Sequence, residues 1–260
     1  MSEKILEIKN LSIEYKTSSA TVEAVKNVSF DVKKGETFVI VGRSGSGKST
    51  LACALMDLTE IDGGKIKSGN IFYRGKDLLK MPFEEKRVLK GAKISMIFQD
   101  PQSYLNPVVK VGKQISESFT VHNPQASKDE IKKRVSEALK KVKLDDTERI
   151  FNSYPHQLSG GQKQRILISM AIMNNPEILI ADEPTTGLDA SIQKQILDLI
   201  SELKNTLGLT LIMITHNMRI ARKYSDTMAV MHNGEIVESG NTEGIFRNPK
   251  DEYTKLLINN

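Results

Sequence analysis

A glycine-rich loop near the start of the chain has the residue types and spacing that bind a triphosphate. Residues 42–49, GRSGSGKS, fit the pattern Gly-x-x-x-x-Gly-Lys-Ser/Thr. Glycines let backbone amides approach phosphate oxygens closely, a lysine can reach the β- and γ-phosphates, and the serine hydroxyl suits Mg²⁺. The residues predicted to bind nucleotide here are Gly42, Ser44, Gly45, Gly47, Lys48, Ser49 and Thr50.

Two adjacent carboxylates, Asp182 and Glu183, follow the apolar run at residues 178–181. Phosphoryl transfer needs a ligand for the metal ion and a group that orients the attacking water. We assign Asp182 to Mg²⁺, through water, and Glu183 to the attacking water, because adjacent side chains point to opposite sides of a strand's end. An isolated Asp-Glu pair would carry little meaning, and its position after an apolar strand favours catalysis.

The segments that must position these groups alternate between strands and helices. Thr37–Val41 is a continuous apolar run rich in β-branched residues, typical of a strand buried on both faces, and it leads directly into the glycine-rich loop. Similar strands are predicted at 178–181 and 209–215, with a helical stripe at 192–207 between them. This order predicts a mostly parallel sheet. Alternation at residues 5–10 predicts a further strand at the N-terminus.

The middle of the chain has a different pattern. Residues 127–130, SKDE, form a capping box, and apolar residues then recur at helical spacing with lysines on the opposite face. We predict a mainly helical subdomain over 100–165, inserted between the two parts of an α/β core at 1–99 and 166–260.

Composition is typical of a globular protein that has no membrane span of its own. The 260 residues include 37 basic and 32 acidic side chains, a mild excess that is spread along the chain and indicates a solvated surface rather than a nucleic-acid face. Cys53 is the single cysteine, which excludes an internal disulfide and fits a reducing compartment. Residues 1–8 lack the apolar core of a signal peptide, and the apolar runs are far shorter than the ~20 residues of a membrane span. We therefore expect any membrane role to come through a partner.

The pentapeptide LSGGQ at residues 158–162 indicates which kind of phosphate-loop ATPase the chain resembles. With the glycine-rich loop before it and the carboxylate pair after it, the chain resembles the ABC ATPase family over essentially its whole length. The resemblance implies a single P-loop NTPase domain over 1–260, with a mostly parallel core sheet, an N-terminal antiparallel β subdomain and an inserted helical subdomain. It also implies ATP and Mg²⁺ as cofactors and ATP hydrolysis as the activity.

The resemblance assigns the pentapeptide to a contact between subunits. Small residues at a helix N-terminus can bind an anion. In the family, this site contacts the γ-phosphate that a second ATPase subunit holds, and a nearby aspartate communicates across the dimer. The residues that match these roles are Ser159, Gly160, Gly161, Gln162 and Asp189.

Three more residues take their roles from the resemblance. Gln99 matches the family glutamine that touches Mg²⁺ and the water, and His216 matches the histidine that contacts the γ-phosphate and steadies the catalytic glutamate. Tyr15 is the best candidate for stacking on adenine, with a simple strand aromatic as the alternative, and the segment 16–23 makes the alignment here loose. The catalytic set is thus Glu183, His216 and Gln99, and the metal set is Ser49, Gln99 and Asp182.

Within the family, the chain is similar to the ATPases of peptide and nickel importers, on the motifs at 98–107, 154–157, 181–186 and 252–257. The motif at 181–186 resembles the first of the two ATPases of dipeptide and oligopeptide importers, the D-type. In such systems two ATPase subunits, usually different ones but in some cases identical, lie beneath two integral membrane permease subunits that receive cargo from an extracytoplasmic substrate-binding protein. The resemblance therefore places the chain at the cytoplasmic face of the membrane, with no nucleic acid as partner.

The sequence leaves more than one transported substrate and more than one class of ABC system open. The sequence ends at Asn260 without the cysteine-bearing extension of many peptide-importer ATPases, and the shorter form is commoner among nickel and metallophore importers. We favour peptides and keep nickel or a metallophore as the alternative. Other classes are a soluble ABC ATPase acting on nucleic acid or ribosomes, an exporter ATPase and a non-catalytic regulatory subunit.

Overall fold

The computed structural model describes residues 3–16 and 20–259. Residues 1–2 of the segment compared with signal peptides, residues 17–19 of the loosely aligned segment, and Asn260 lie outside the described residues. The chain forms two compact units: the described residues up to Arg87 together with those from Thr210 onward, and Val88–Leu209. We call these the phosphate-loop unit and the signature unit.

Strands and helices are interspersed along the chain. The strands are β1 (Lys4–Lys16), β2 (Thr21–Lys33), β3 (Thr37–Val41), β4 (Gly64–Tyr73), β5 (Lys76–Asp77), β6 (Ile94–Ile97), β7 (Ile178–Asp182), β8 (Thr210–Thr215), β9 (Thr227–His232) and β10 (Glu235–Asn241). The helices are α1 (Lys48–Leu55), α2 (Phe83–Leu89), α3 (Pro101–Tyr104), α4 (Val111–Thr120), α5 (Lys128–Lys141), α6 (Thr147–Asn152), α7 (Gly160–Ile172), α8 (Ala190–Leu207), α9 (Met218–Tyr224), α10 (Thr242–Arg247) and α11 (Glu252–Asn259). Short 3₁₀ turns lie at Leu78–Lys80 and Pro155–Gln157.

An antiparallel sheet in the phosphate-loop unit has the strand order β2-β1-β4-β5. Ile8 of β1 lies opposite Phe30 of β2 and Ile71 of β4, and all three side chains are buried. Phe30 also stacks on Phe38 of β3, with ring centroids 4.9 Å apart, so the antiparallel sheet packs against the parallel strands of the same unit. The predicted N-terminal antiparallel subdomain is confirmed.

The parallel strands of the phosphate-loop unit bring two predicted site segments to one edge. Strand β3 pairs in parallel with β8 and β9, and Val41 lies beside Thr215. All five residues of β3 are buried, as their apolar types predict. Because parallel strands end at the same edge of a sheet, the glycine-rich loop after Val41 and His216 after Thr215 lie at the same edge.

The signature unit repeats this arrangement with β6 and β7, which pair in parallel with Ile97 beside Ala181. Gln99 follows β6, and Asp182 ends β7, so both lie at one strand edge. Helices α3 to α7 lie between these strands along the chain, and Ser127 caps α5 as predicted, accepting a hydrogen bond from the amide of Glu130 at 3.2 Å.

The described residues therefore combine an antiparallel sheet, parallel strands and a helical stretch, and the predicted fold class is confirmed. The helical stretch predicted over 100–165 falls within the signature unit, and its last helix continues to Ile172. Within residues 3–16 and 20–259, none of the helices combines the length and the hydropathy needed to cross a bilayer.

Candidate functional site

The glycine-rich loop comes so close to neighbouring backbone that two of its glycines have no room for a side chain. A Cβ atom on Gly42 would lie 2.2 Å from the carbonyl oxygen of Met231, and one on Gly47 would lie 2.2 Å from that of Ala24. Gly47 also has a φ of 101°, a conformation that favours glycine. These contacts explain the glycines of the motif as packing requirements that fix the loop at the start of α1.

Lys48 lies inside the loop that it follows. Its side chain is buried, and Nζ donates hydrogen bonds to the carbonyl oxygens of Gly42 at 2.8 Å and Arg43 at 2.9 Å, with the Ser46 hydroxyl at 3.4 Å. The ammonium group therefore sits among the backbone of residues 42–47, which is where the motif predicts the phosphates.

The start of α1 adds further groups that suit an anion. The first amides of a helix have no partner within the helix, and they carry the positive end of its dipole. The first turn of α1 contains no acidic residue, and Leu51 is bonded to the carbonyl of Gly47 at 3.0 Å. Ser44, Gly45 and Ser49 are exposed. This arrangement can bind phosphate oxygens at a helix N-terminus.

Tyr15 lies beside α1 in the phosphate-loop unit. Its hydroxyl donates to Asp62 Oδ2 at 3.0 Å, and its ring packs on Gly64, where a Cβ would lie 2.9 Å from ring atom Cζ. Burial raises the pKa of Tyr15, Asp62 adds to this effect, and a hydrogen bond with Thr50 acts in the opposite direction. The bond to Thr50 places Tyr15 next to the predicted nucleotide-binding segment, and its stacking on adenine stays a prediction.

His216 is exposed at the sheet edge that carries the glycine-rich loop. The residues on both sides of it are fixed: Thr215 Oγ1 accepts a hydrogen bond from the amide of Asn217 at 3.1 Å, and Asn217 caps α9. The backbone at this position is thus held between a buried strand and a helix cap. Its contact with a γ-phosphate stays a prediction.

The carboxylate pair and Gln99 come together in the signature unit. Asp182 is buried at the end of β7, whereas Glu183 is half-buried and has a φ of +42°, an uncommon value for a residue with a side chain. Glu183 Oε2 accepts a hydrogen bond from Thr186 Oγ1 at 3.0 Å and lies 3.5 Å from Gln99 Nε2. Strained backbone of this kind is concentrated at functional sites, where the surrounding structure holds it in place.

The predicted Mg²⁺ ligands have the chemistry that this ion prefers. Ser49, Gln99 and Asp182 all offer oxygen atoms, and Mg²⁺ in nucleotide sites is commonly held by one or two carboxylates together with substrate phosphates. In the described part of the chain, no three histidine, cysteine, aspartate or glutamate side chains cluster as a metal site of their own. The donor set fits an ion that binds together with a triphosphate.

The LSGGQ segment forms the capped N-terminus of α7. Ser159 Oγ accepts from the amide of Gln162 at 3.3 Å, and Gln162 Oε1 accepts from the amide of Ser159 at 3.0 Å, so the two residues form a reciprocal capping box. Sequence analysis assigned Gln162 only to the contact with a second subunit. The structure gives it an internal role as well, for which the spacing of Ser159 and Gln162 was the available signal.

Asp189 caps the neighbouring helix α8 and accepts hydrogen bonds from the amides of Ser191 and Ile192. The two helix starts pack together, because a Cβ on Gly160 would lie 3.2 Å from Leu188, and one on Gly161 would lie 3.0 Å from Ile192. The residues predicted to face a second subunit are therefore brought together, and Ser159, Gly160 and Asp189 are exposed.

Arg165, which sequence analysis missed, fixes α7 to its neighbours. Its Nη1 donates to the carbonyl of Val142 at 2.9 Å, and its Nη2 donates to Gln195 Oε1 of α8 at 3.2 Å. Burial lowers the pKa of this guanidinium below its usual range. Arg165 lies one turn after Gln162, so it links the helix that begins at the LSGGQ segment to the helix that begins at Asp189.

Comparison with known proteins decides the family. Residues 25–186, a stretch that includes the glycine-rich loop, LSGGQ and the carboxylate pair, match the family described as ABC transporter. The chain belongs to this family. As an ABC protein, it is a nucleotide-binding transport ATPase.

Relatives over the whole chain agree with this assignment. The chain is 44% identical, over 98% of its length, to the dipeptide transport ATP-binding protein DppD of Lactococcus lactis subsp. cremoris and covers 73% of that protein. It is 45% identical, over 98% of its length, to the oligopeptide transport ATP-binding protein OppD of Bacillus subtilis and covers 71% of it. Among solved structures, it resembles a dimeric, post-hydrolysis state of the ATP-binding cassette MJ0796 bound to ADP and Pi, with a TM-score of 0.80, 31% identity, and coverage of 91% of this chain and 98% of that one.

The crowding at Gly42 generates a first prediction. Gly42→Ala should lower the free energy of unfolding by about 1–3 kcal/mol and weaken ATP binding, because the new methyl group must push the Met231 carbonyl away. Chemical denaturation and equilibrium ATP titration would measure both effects. Gly240→Ala is the matched control, because its added methyl would meet nothing closer than 4.0 Å. Equal effects of the two substitutions would contradict the packing argument.

The position of Glu183 generates a second prediction. Glu183→Gln should keep ATP binding but lower the rate of hydrolysis at least about 100-fold, because an amide cannot act as a base for the attacking water. Steady-state hydrolysis and nucleotide titration on the same preparation would separate the two. Glu202→Gln, which removes an exposed carboxylate paired with Lys143, is the control and should hydrolyse ATP normally. Hydrolysis by Glu183→Gln at the control rate would remove Glu183 from the chemistry.

Proposed function

We propose that the chain is the ATP-hydrolysing subunit of an ABC importer that takes up peptides. The proposal rests on three features that occur together in one ABC-family chain. Lys48 lies inside a phosphate loop, the strained Glu183 lies beside Gln99, and the capping residue Ser159 is exposed. Both relatives described above are named as peptide transport ATP-binding proteins, which favours peptides over the nickel or metallophore alternative. The same names favour transport over an action on nucleic acid or ribosomes.

In the proposed reaction, the chain's own groups bind and orient the reactants. Lys48 turns from the loop carbonyls to the β- and γ-phosphates, and the amides at the start of α1 receive the phosphate oxygens. Ser49, Gln99 and Asp182 would hold Mg²⁺ together with the phosphates, and the ion would supply positive charge to offset the charge that develops on the transferred group. Glu183 accepts a hydrogen bond from the attacking water and orients it.

A second ATPase subunit completes the proposed site. The exposed start of α7 at Ser159 presents helix amides, and its position beside Asp189 gives one surface that can meet the γ-phosphate of a facing subunit. The MJ0796 structure described above is a dimer with ADP and Pi bound. We infer pairing with a homologous but different ATPase, with a homodimer as the alternative. ATP favours the closed pair because only that state contacts the γ-phosphate from both sides.

A groove in the signature unit is the proposed contact with a permease subunit. It encloses about 300 Å³ and is lined mainly by apolar side chains that include Met96, Phe98, Tyr104 and Met170. Phe98 and Tyr104 stack with ring centroids 4.0 Å apart and form one wall. Because an ABC transporter needs a membrane-spanning partner and the described residues contain no such helix, we assign the groove to a short apolar segment of a permease.

The groove lies next to the catalytic residues in sequence. Phe98 lines it, and the following residue, Gln99, lies 3.5 Å from Glu183. A segment that displaces Phe98 would therefore also move the side chain beside the predicted catalytic base. We propose that two permease subunits bind ATPase subunits in this way at the cytoplasmic face of the membrane, and that an extracytoplasmic substrate-binding protein delivers the peptide.

Uptake tests the proposed function directly. In cells that lack the chain and receive it from a plasmid, uptake of a labelled short peptide should be restored by the natural chain and abolished by Lys48→Ala, because the lysine that binds the phosphates is missing. Lys133→Ala, which changes an exposed lysine in α5, is the control and should restore uptake. Restored uptake of Ni²⁺ without uptake of peptide would contradict the assigned substrate class, and ATP-driven export would contradict the assigned direction.

The groove generates its own prediction. Val121 is 65% exposed and lines the groove, so Val121→Asp should place a charge against the apolar permease segment and reduce co-purification with permease subunits while ATP binding stays normal. Val22→Asp, at a residue that is 52% exposed on the antiparallel sheet, is the control. Equal recovery of permease with both variants would exclude the groove as the docking surface.

A further inference from the structure

The backbone of the phosphate loop is bonded to the rest of its unit on several sides. The carbonyl of Ser46 accepts a hydrogen bond from the amide of Gly234 at 3.0 Å. The carbonyl of Arg43 accepts from Lys48 Nζ at 2.9 Å. On the other side of the same residue, the amide of Arg43 donates to the hydroxyl of Tyr253 at 3.1 Å. A side chain from the C-terminal helix thus bonds directly to the predicted ATP-binding loop, and the motifs do not account for this contact.

The helix that carries Tyr253 begins at a firmly bonded position. Asp251 Oδ1 accepts from the amides of Tyr253 at 2.8 Å and Thr254 at 3.4 Å, and so caps α11. The Glu238 carboxylate in turn accepts from the amides of Lys250 at 3.0 Å and Asp251 at 3.2 Å. Burial opposes ionisation of Glu238, but these hydrogen bonds lower its pKa on balance. The start of α11 is therefore anchored to β10 by charge-assisted hydrogen bonds.

The ring of Tyr253 is held as well. It stacks on His232 with ring centroids 3.7 Å apart and an interplanar angle of 6°. His232 ends β9, and Gly234, two residues later, bonds to Ser46 of the loop. The strand end that flanks the loop therefore also fixes the aromatic ring whose hydroxyl reaches Arg43.

We propose that Tyr253 is a positioning residue for ATP binding, which holds the phosphate loop in its binding conformation before the nucleotide arrives. The hydroxyl occupies the Arg43 amide, the ring rests on His232, and the helix start is anchored through Asp251. Because the loop is ordered in advance, less conformational entropy is lost when the triphosphate binds. The inference rests on the proposed ATP site at residues 42–50 and adds to it a determinant of affinity that lies far away in sequence.

Tyr253→Phe tests this by removing the hydroxyl while keeping the ring. We expect the dissociation constant for ATP to rise about fivefold, the effect of one lost hydrogen bond, while turnover at saturating ATP is retained because Tyr253 contacts no reacting group. Tyr224→Phe removes a hydroxyl elsewhere in the same unit and is the matched control. A purely structural role of Tyr253 would lower the melting temperature without changing ATP affinity, and that result would overturn the proposal.

Hydrogen–deuterium exchange of the nucleotide-free protein provides a second measurement. Tyr253→Phe should increase exchange in peptides covering residues 42–47, because the Arg43 amide loses its acceptor. His232→Ala should have a similar effect by freeing the ring, whereas His232→Phe, which keeps an aromatic partner, should not. Increased exchange spread over the whole unit, or no increase in 42–47, would contradict the proposed role.

A Lys48→Ala titration separates this inference from the proposed function. If Lys48→Ala weakens ATP binding but Tyr253→Phe matches Tyr224→Phe, the site stands and the positioning role fails. If Lys48→Ala binds ATP as the natural chain does, the ATP site at residues 42–50 fails, and the role of Tyr253 fails with it.

Discussion

The close approach of the phosphate loop to neighbouring backbone at Gly42 and Gly47 is the constraint on which the rest of the site depends. At both positions a Cβ atom would lie 2.2 Å from a carbonyl oxygen, so the loop can adopt this path only with glycine. That path encloses the Lys48 ammonium and places the start of α1 beside the loop. Triphosphate binding thus depends primarily on the packing of the loop backbone, which in turn determines where the charged side chains lie.

In the signature unit, backbone strain, helix capping and glycine packing position the predicted catalytic and intersubunit residues. Strain at Glu183 and the capping of α7 and α8 fix a predicted catalytic base and two exposed helix starts, and Arg165 ties the two helices together. Glycines again permit close packing, here of α7 against Leu188 and Ile192 of the α8 start. Each unit therefore holds the groups that the proposed reaction needs in a fixed arrangement. Because the backbone around them is already ordered, little conformational entropy should be lost when ATP and a second subunit bind.

Local patterns in the sequence were sufficient to predict much of this. The buried strand Thr37–Val41, the glycine-rich loop and the Ser127 cap depend on neighbouring residues, and the structure has each where its pattern indicated. The bond between Arg43 and Tyr253 joins residues 210 positions apart, and no short-range pattern encodes it. Arg165 was missed for a similar reason, since its partners are distant in sequence: Val142 directly follows α5, and Gln195 lies on α8. The spacing of Ser159 and Gln162 is sufficient to predict the cap at Gln162, but Gln162 had been assigned only an intersubunit role.

In the proposed ATPase pair, one subunit's phosphate loop binds ATP and a facing subunit's LSGGQ segment covers it. Hydrogen–deuterium exchange of Glu183→Gln with Mg²⁺ and ATP tests both halves of this claim together. We expect protection of peptides covering 42–50 at any protein concentration, and protection of peptides covering 159–163 only when subunits pair. ATP-induced protection that misses 42–50, or protection of 159–163 that is independent of pairing, would contradict it.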